Sequence, residues 1–156
     1  MNIYLKVRPY VRQWCENAFG SPCEFPAKGR ANAEIRYHVQ PLPAGRMPHM
    51  PEPDEMPVRI PESGNKKSST YNYVTEEGLD CIRSVINSTF DADLKGFVIE
   101  RYRNGVQLKV AVHTWCRNHG IDVEHEDTLK QRCNRMIMAL KKKGIIIQKN
   151  VYISDH

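Results

Sequence analysis

The chain has 156 residues, is 40% apolar and 26% charged, and carries a formal net charge of +5. That length holds one ordinary domain or two small ones, and the composition is that of a soluble globular protein. No run approaches the roughly twenty apolar residues of a membrane-spanning helix, and MNIYLKVRPY lacks the apolar core of a signal peptide, so a cytoplasmic setting is expected.

From Asn2 to Val7, Ile3, Leu5 and Val7 alternate with Tyr4 and Lys6, the period of a half-buried strand. Pro9 suits the first turn of a helix, where its missing amide hydrogen costs nothing. Val11, Trp14, Cys15 and Ala18 would give that helix its apolar face, and Gly20 its end. Cys23 to Phe25 reads as a short strand. From Arg30 to Gln40, the four-residue spacing of Ala31, Ile35 and Val39 favours a helix. The alternation of Ile35, Tyr37 and Val39 keeps a strand as the alternative. Pro41 to Pro61 holds seven of the ten prolines and should run extended. Within it, Met56 to Ile60 could form an edge strand beside Ile3 to Val7. Ser63 to Thr70 (SGNKKSST) has the composition of a linker or exposed loop.

Thr75 can cap a helix whose first turn carries Glu76 and Glu77, with Leu79, Ile82, Val85 and Ile86 inward. Asp91 is expected to start a second helix that buries Leu94, Phe97, Val98 and Tyr102 and closes at Asn104-Gly105. Val106 opens the next helix. Leu108, Val110 or Ala111, Val112 and Trp115 face inward there, and His119-Gly120 ends it. Past Glu126, Asp127 or Thr128 is the expected N-cap of a basic helix that stops at Gly144. Its apolar positions are Leu129, Cys133, Met136, Ile137 and Leu140, spaced for one helix face. Lys130, Gln131, Arg132, Asn134 and Arg135 occupy the other face, and Lys141, Lys142 and Lys143 follow. Ile145 to Ile147 and Val151 to Ile153 suggest a hairpin around Gln148-Lys149-Asn150.

Charge is polarised along this half. Thr128 to Lys149 holds seven Lys or Arg and no acid, whereas Tyr71 to Asp127 holds six basic and ten acidic residues. Phosphate contacts need such clustering, and Arg, Lys, Gln and Asn suit base edges in the major groove. The order of helix, turn, basic helix and hairpin from Val106 to Ile153 resembles the winged-helix DNA-binding unit, with Lys149 near the tip of its wing. With the elements read above it gives an α+β chain: a βα unit with a proline-rich segment (1–62), a linker or loop (63–70), and a mostly helical winged-helix-like domain ending in a hairpin (71–156). It implies base contacts from Lys130, Gln131, Asn134 and Arg135. Arg132, Lys141, Lys142, Lys143 and Lys149 would take phosphates. DNA is the expected partner, RNA the second nucleic acid this chemistry suits, and a homodimer is compatible with it.

IYLKVRPYVRQW, the Phe25-Pro26 pair and TYNYVTEEG together resemble segments of small proteins from gut Bacteroides-type genomes, some near mobile elements. That resemblance implies a bacterial or phage-like cytoplasmic setting and carries no site residues across.

The chain has no GxxxxGK[ST] phosphate loop, no GxGxxG, no HExxH and no GxSxG, so neither catalysis nor a cofactor is expected. Five cysteines without a CxxC pair fit buried free thiols in a reducing compartment. His113, Cys116 and His119, with His125 beyond, have pairwise spacings that could offer zinc ligands. All three in one sphere would be strained, and a buried Cys116 among surface histidines is the simpler expectation. Asp91, Asp93, Glu124, Glu126 and Asp127 are acids that a nuclease could use, and helix capping accounts for them more simply. The competing functional class is a protein-interaction module that docks through the proline-rich segment and Tyr71-Asn72-Tyr73.

Overall fold

The computed structural model describes residues 1–145. It is an α+β chain with small antiparallel sheets in its N-terminal part and mostly helix thereafter. Two compact units divide it, Met1–Thr89 and Phe90–His156. The expected hairpin beyond Ile145, with Lys149, lies outside the described residues.

In the first unit, strand β1 (Asn2–Lys6) pairs antiparallel with β3 (Glu55–Arg59), with Ile3 opposite Val58 and Leu5 opposite Met56. All four side chains are buried. A slip of one residue would turn that whole set to solvent, so burial of one face fixes the register. The proline in β3 is accommodated by direction. Pro57 directs its carbonyl away from β1, to the amide of Cys23 at 3.0 Å, and Arg59 donates back to the Cys23 carbonyl at 2.8 Å. The amide hydrogen that Pro57 lacks would lie on that outer side, so the β1 ladder loses nothing. The strand beside β1 is as expected, whereas the strand expected from Cys23 to Phe25 is reduced to a single bridge at Cys23.

Helix α1 (Pro9–Phe19) starts on its proline and ends at Gly20, whose φ is 82°. It buries Tyr10, Val11, Trp14 and Cys15. Ala18, expected inward, is exposed, and Tyr10, one turn before Trp14, takes the inner position instead. The 30–40 segment is the helix α2 (Arg30–His38), followed by a two-residue strand β2 (Gln40–Pro41). Strand β2 pairs antiparallel with β4 (Tyr71–Tyr73). The proline-rich segment is largely exposed but is pinned at two points. His49 bonds Glu55 at 2.7 Å, and Arg12 donates to the Pro53 carbonyl at 3.0 Å. The 63–70 segment folds into a loop closed on itself: the Ser68 amide and hydroxyl both donate to Glu62, and Lys66 donates to the Arg36 carbonyl at 2.7 Å.

Helix α3 runs unbroken from Glu76 to Arg103. Thr75 caps it as expected, its Oγ1 accepting the Gly78 amide at 3.1 Å. The expected second start at Asp91 is corrected. The buried stripe Ile82, Val85, Ile86, Phe90, Leu94, Val98 keeps helical spacing straight across Asn87 to Asp91. Thr89, a poor helix former, turns its hydroxyl back onto the Val85 carbonyl at 2.9 Å. The division between the two units falls within this helix.

The second unit adds α4 (Leu108–Asn118), a 3-10 turn (Val123–His125) and α5 (Glu126–Lys142) to the latter part of α3. Its core is Phe90, Leu94, Val98, Ala111, Val112, Trp115, Cys116, Ile121, Leu129, Cys133 and Ile137. Phe90 meets Trp115 edge to face, 5.4 Å between centroids, a favoured aromatic geometry. Of the two alternatives on α4, Ala111 is inward and Val110 is exposed. The three helices end alike. The amides of Val106, Ile121 and Ile145 reach back to the carbonyls of Arg101, Cys116 and Leu140 at 3.0, 3.0 and 2.9 Å. The glycine before each takes positive φ, 87°, 68° and 69° in turn. That is the Schellman closure, in which glycine alone enters the left-handed region cheaply.

Candidate nucleic-acid interface

Helix α5 begins two or three residues earlier than expected. The 3-10 turn leads directly into Glu126, with His125 at the cap position, so neither Asp127 nor Thr128 caps it. Glu126 and Asp127 sit in the first turn, where carboxylates complement the helix dipole. Glu126 faces back to α4 and takes His113 at 2.9 Å and Arg117 at 3.4 Å. This cluster ties the start of α5 to α4.

The inner face of α5 is Leu129, Cys133 and Ile137, with Met136 and Leu140 half-buried. Gln131, Asn134, Arg135, Met138, Lys141, Lys142 and Lys143 are exposed. The sequence-selected residues do not behave as one group. Arg132 is half-buried and bonds Asp91 at 2.5 Å, so its guanidinium braces α5 against α3. Lys130 lies 4.0 Å from Asp127, and Gln131 donates to the same carboxylate at 3.3 Å. Lys141 donates to the Tyr102 hydroxyl at 2.5 Å and lies over its ring. Among the described residues, no side-chain hydrogen bond or ion pair holds Asn134, Arg135, Lys142 or Lys143. Asn134, Arg135 and Lys142, with Gln131, form one solvent-facing stripe of donors and cations, and Lys143 follows at the C-cap.

The residues weighed for zinc do not converge. Cys116 is buried, and burial pushes its thiol up to about 12. His113 is engaged by Glu126, and His119 faces Asp93 at 3.8 Å. Among the described residues, the group of three whose donor atoms lie within 4.8 Å of one another is Asp122, Glu124 and His125, on the 3-10 turn. Of the nuclease candidates, Asp91, Asp93, Glu126 and Asp127 stand in structural pairs, and Glu124 is exposed on the 3-10 turn. Asp91 lies inside α3 and pairs with Arg132 and Lys95, rather than capping a helix.

No family model, curated protein or solved structure matches this chain. No helix among the described residues is long and apolar enough to cross a membrane.

Sequence reasoning could not have separated Arg132 from its neighbours, because its partner stands 41 residues away. It also passed over Met138, which is 56% exposed in the middle of the polar stripe. The signal was present: Met138 is seven residues from Gln131 and three from Arg135, which puts it off the apolar stripe.

Proposed function

We propose that this chain binds double-stranded DNA through the exposed face of α5, in the manner of a helix-turn-helix reader. The observation that carries the reading is the stripe of Gln131, Asn134, Arg135 and Lys142, with Lys143 beyond it at the C-cap, turned to solvent with no carboxylate against its cations. Helix α5 is long enough to lie in a major groove, at about 1.5 Å per residue. Gln131, Asn134 and Arg135 suit base edges there, with Lys130 at the entrance. Lys141, Lys142 and Lys143 suit phosphates at the other end, as Lys149 would. Arg132 contributes less, because Asp91 already engages it. RNA is the lesser candidate, since the deep, narrow major groove of A-form RNA admits side chains poorly.

Fluorescence anisotropy against a random duplex at two salt concentrations tests this. Binding should weaken roughly tenfold or more on raising salt from about 50 to 200 mM if several phosphates are neutralised. Replacing Arg135 by Ala should weaken it further. A flat salt response, or no binding at low salt, would defeat the proposal.

A protein-interaction role through the first unit is the second reading. It is favoured by Met47 and Met50, 85% and 80% exposed within the proline-rich segment. A chain that binds no nucleic acid but captures a partner through residues 41–61 would decide for it. Formation of a homodimer alone would not, because many DNA readers are dimeric.

A further inference from the structure

We infer that Met138 is a base reader that packs on the C5-methyl group of thymine, so that the preferred ligand of α5 is a thymine-containing DNA duplex. This rests on the DNA-binding reading above. At about 100° per residue, Gln131, Asn134, Arg135, Lys141 and Lys142 all lie within about 60° of Met138 around the helix. Met138 therefore occupies the exposed face, about 100° to 180° around the helix from the buried Ile137, Cys133 and Leu129. It is an apolar, flexible side chain framed by hydrogen-bond donors and cations. The complementary surface is a small apolar group set among acceptors and phosphates. In the major groove that is the thymine methyl, which stands beside the O4 acceptor of its own base. Uracil lacks this group, so the contact separates DNA from RNA by a feature of the base itself.

A second copy of this chain fits the same spot poorly. A stable interface buries roughly 800 Å² per partner, far more than one thioether offers. An antiparallel twofold contact centred on Met138 would also set Arg135 against Lys141 of the other copy.

The test uses the full chain. Duplexes are selected from a random-sequence DNA pool, and each thymine in an enriched duplex is then replaced singly by deoxyuridine. Anisotropy should show at least one position where the swap weakens binding about three- to fivefold, the worth of one buried methyl. Met138→Ala should bind the thymine and uracil versions equally, whereas Met138→Leu, which keeps an apolar tip, should retain the preference. Circular dichroism checks that both variants are folded, as expected for an exposed position. The inference fails if no swap matters, if enriched duplexes lack thymine, or if Met138→Ala keeps the full preference. Salt-sensitive binding without enrichment overturns it and leaves the DNA-binding reading standing. Absence of binding to any duplex at low salt overturns both.

Discussion

The two units treat surface charge differently. In the first, Lys6 faces Glu52 and Asp54, Arg12 faces Glu16, Arg59 faces Glu24 and Arg83 faces Asp80. Those cations are paired with acids that the same unit supplies, while Lys28, Arg30 and Arg46 stand without an ion pair among the described residues. In the second unit two acids are drawn into the helix packing, Asp91 by Arg132 and Lys95, Glu126 by His113 and Arg117. Little acid remains for the last turns of α5, and Arg135, Lys142 and Lys143 stand without it. The net charge of +5 is modest, but its placement gives one helix face a strong local field. Where the carboxylates go matters more than how many bases there are.

Four measurements would break or sharpen that contrast. Replacing Trp115 by Ala removes the largest fully buried side chain of the second unit and should cost about 3–5 kcal/mol. Hydrogen exchange should then show α4 and α5 losing protection while the β1–β3 amides keep theirs. Equal loss in both would show that the units do not unfold separately. A smaller effect is expected in the first unit from Gly78→Ala. A Cβ there would stand 2.6 Å from Val74 Cγ1 and 3.2 Å from His38, so overpacking of about 1–3 kcal/mol should outweigh the gain in helix propensity of about 1 kcal/mol. A raised denaturation midpoint would show that the Val74 side chain can step aside.

Asp91→Asn separates structural from available cations. It should lower stability by about 1 kcal/mol, in keeping with a partly exposed pair, whereas Arg135→Ala should leave the melting temperature unchanged and weaken DNA binding. Loss of stability from Arg135→Ala would mean that its side chain is a brace like Arg132. Thiol labelling gives the smallest perturbation. Burial pushes the thiols of Cys116 and Cys133 up to about 12 and about 11, so both stay protonated, and therefore unreactive, at pH 9. Cys81 is exposed. Iodoacetamide at that pH should modify Cys81 in the native protein, and Cys116 and Cys133 only after denaturation. Early modification of either would reveal an opening between α4 and α5.

What was legible in the sequence follows the range of the forces involved. Pro9, Thr75, Gly105, Gly120 and Gly144 act on their own turn of chain, and each marks a boundary that the structure keeps. The alternation of Ile3 and Leu5 was equally plain, because a strand with one buried face writes its period into four or five residues. The break expected at Asp91 was an error of scale: local helix weakness at Asn87 to Thr89 was overridden by a stripe that only the packed helix makes decisive. Strand β4 was missed because three half-buried residues, Tyr71–Tyr73, have no period of their own and depend on Gln40 and Pro41 to pair. On the candidate interface, the basic face of α5 could be read from spacing, and the diversion of Arg132 to Asp91 could not.

The shared glycine closure of α3, α4 and α5 bears on the order in which the chain acquires structure. Each closure involves residues five apart, so each can form as soon as its own helix does, without loop entropy from distant chain. Pairing of β1 with β3 must instead bring Asn2 to Arg59. Relative contact order is the main determinant of folding speed in small domains. Refolding followed at Trp115 should therefore run ahead of refolding followed at Trp14, and the helices of the second unit should be assembled while the sheet is still searching for its partner.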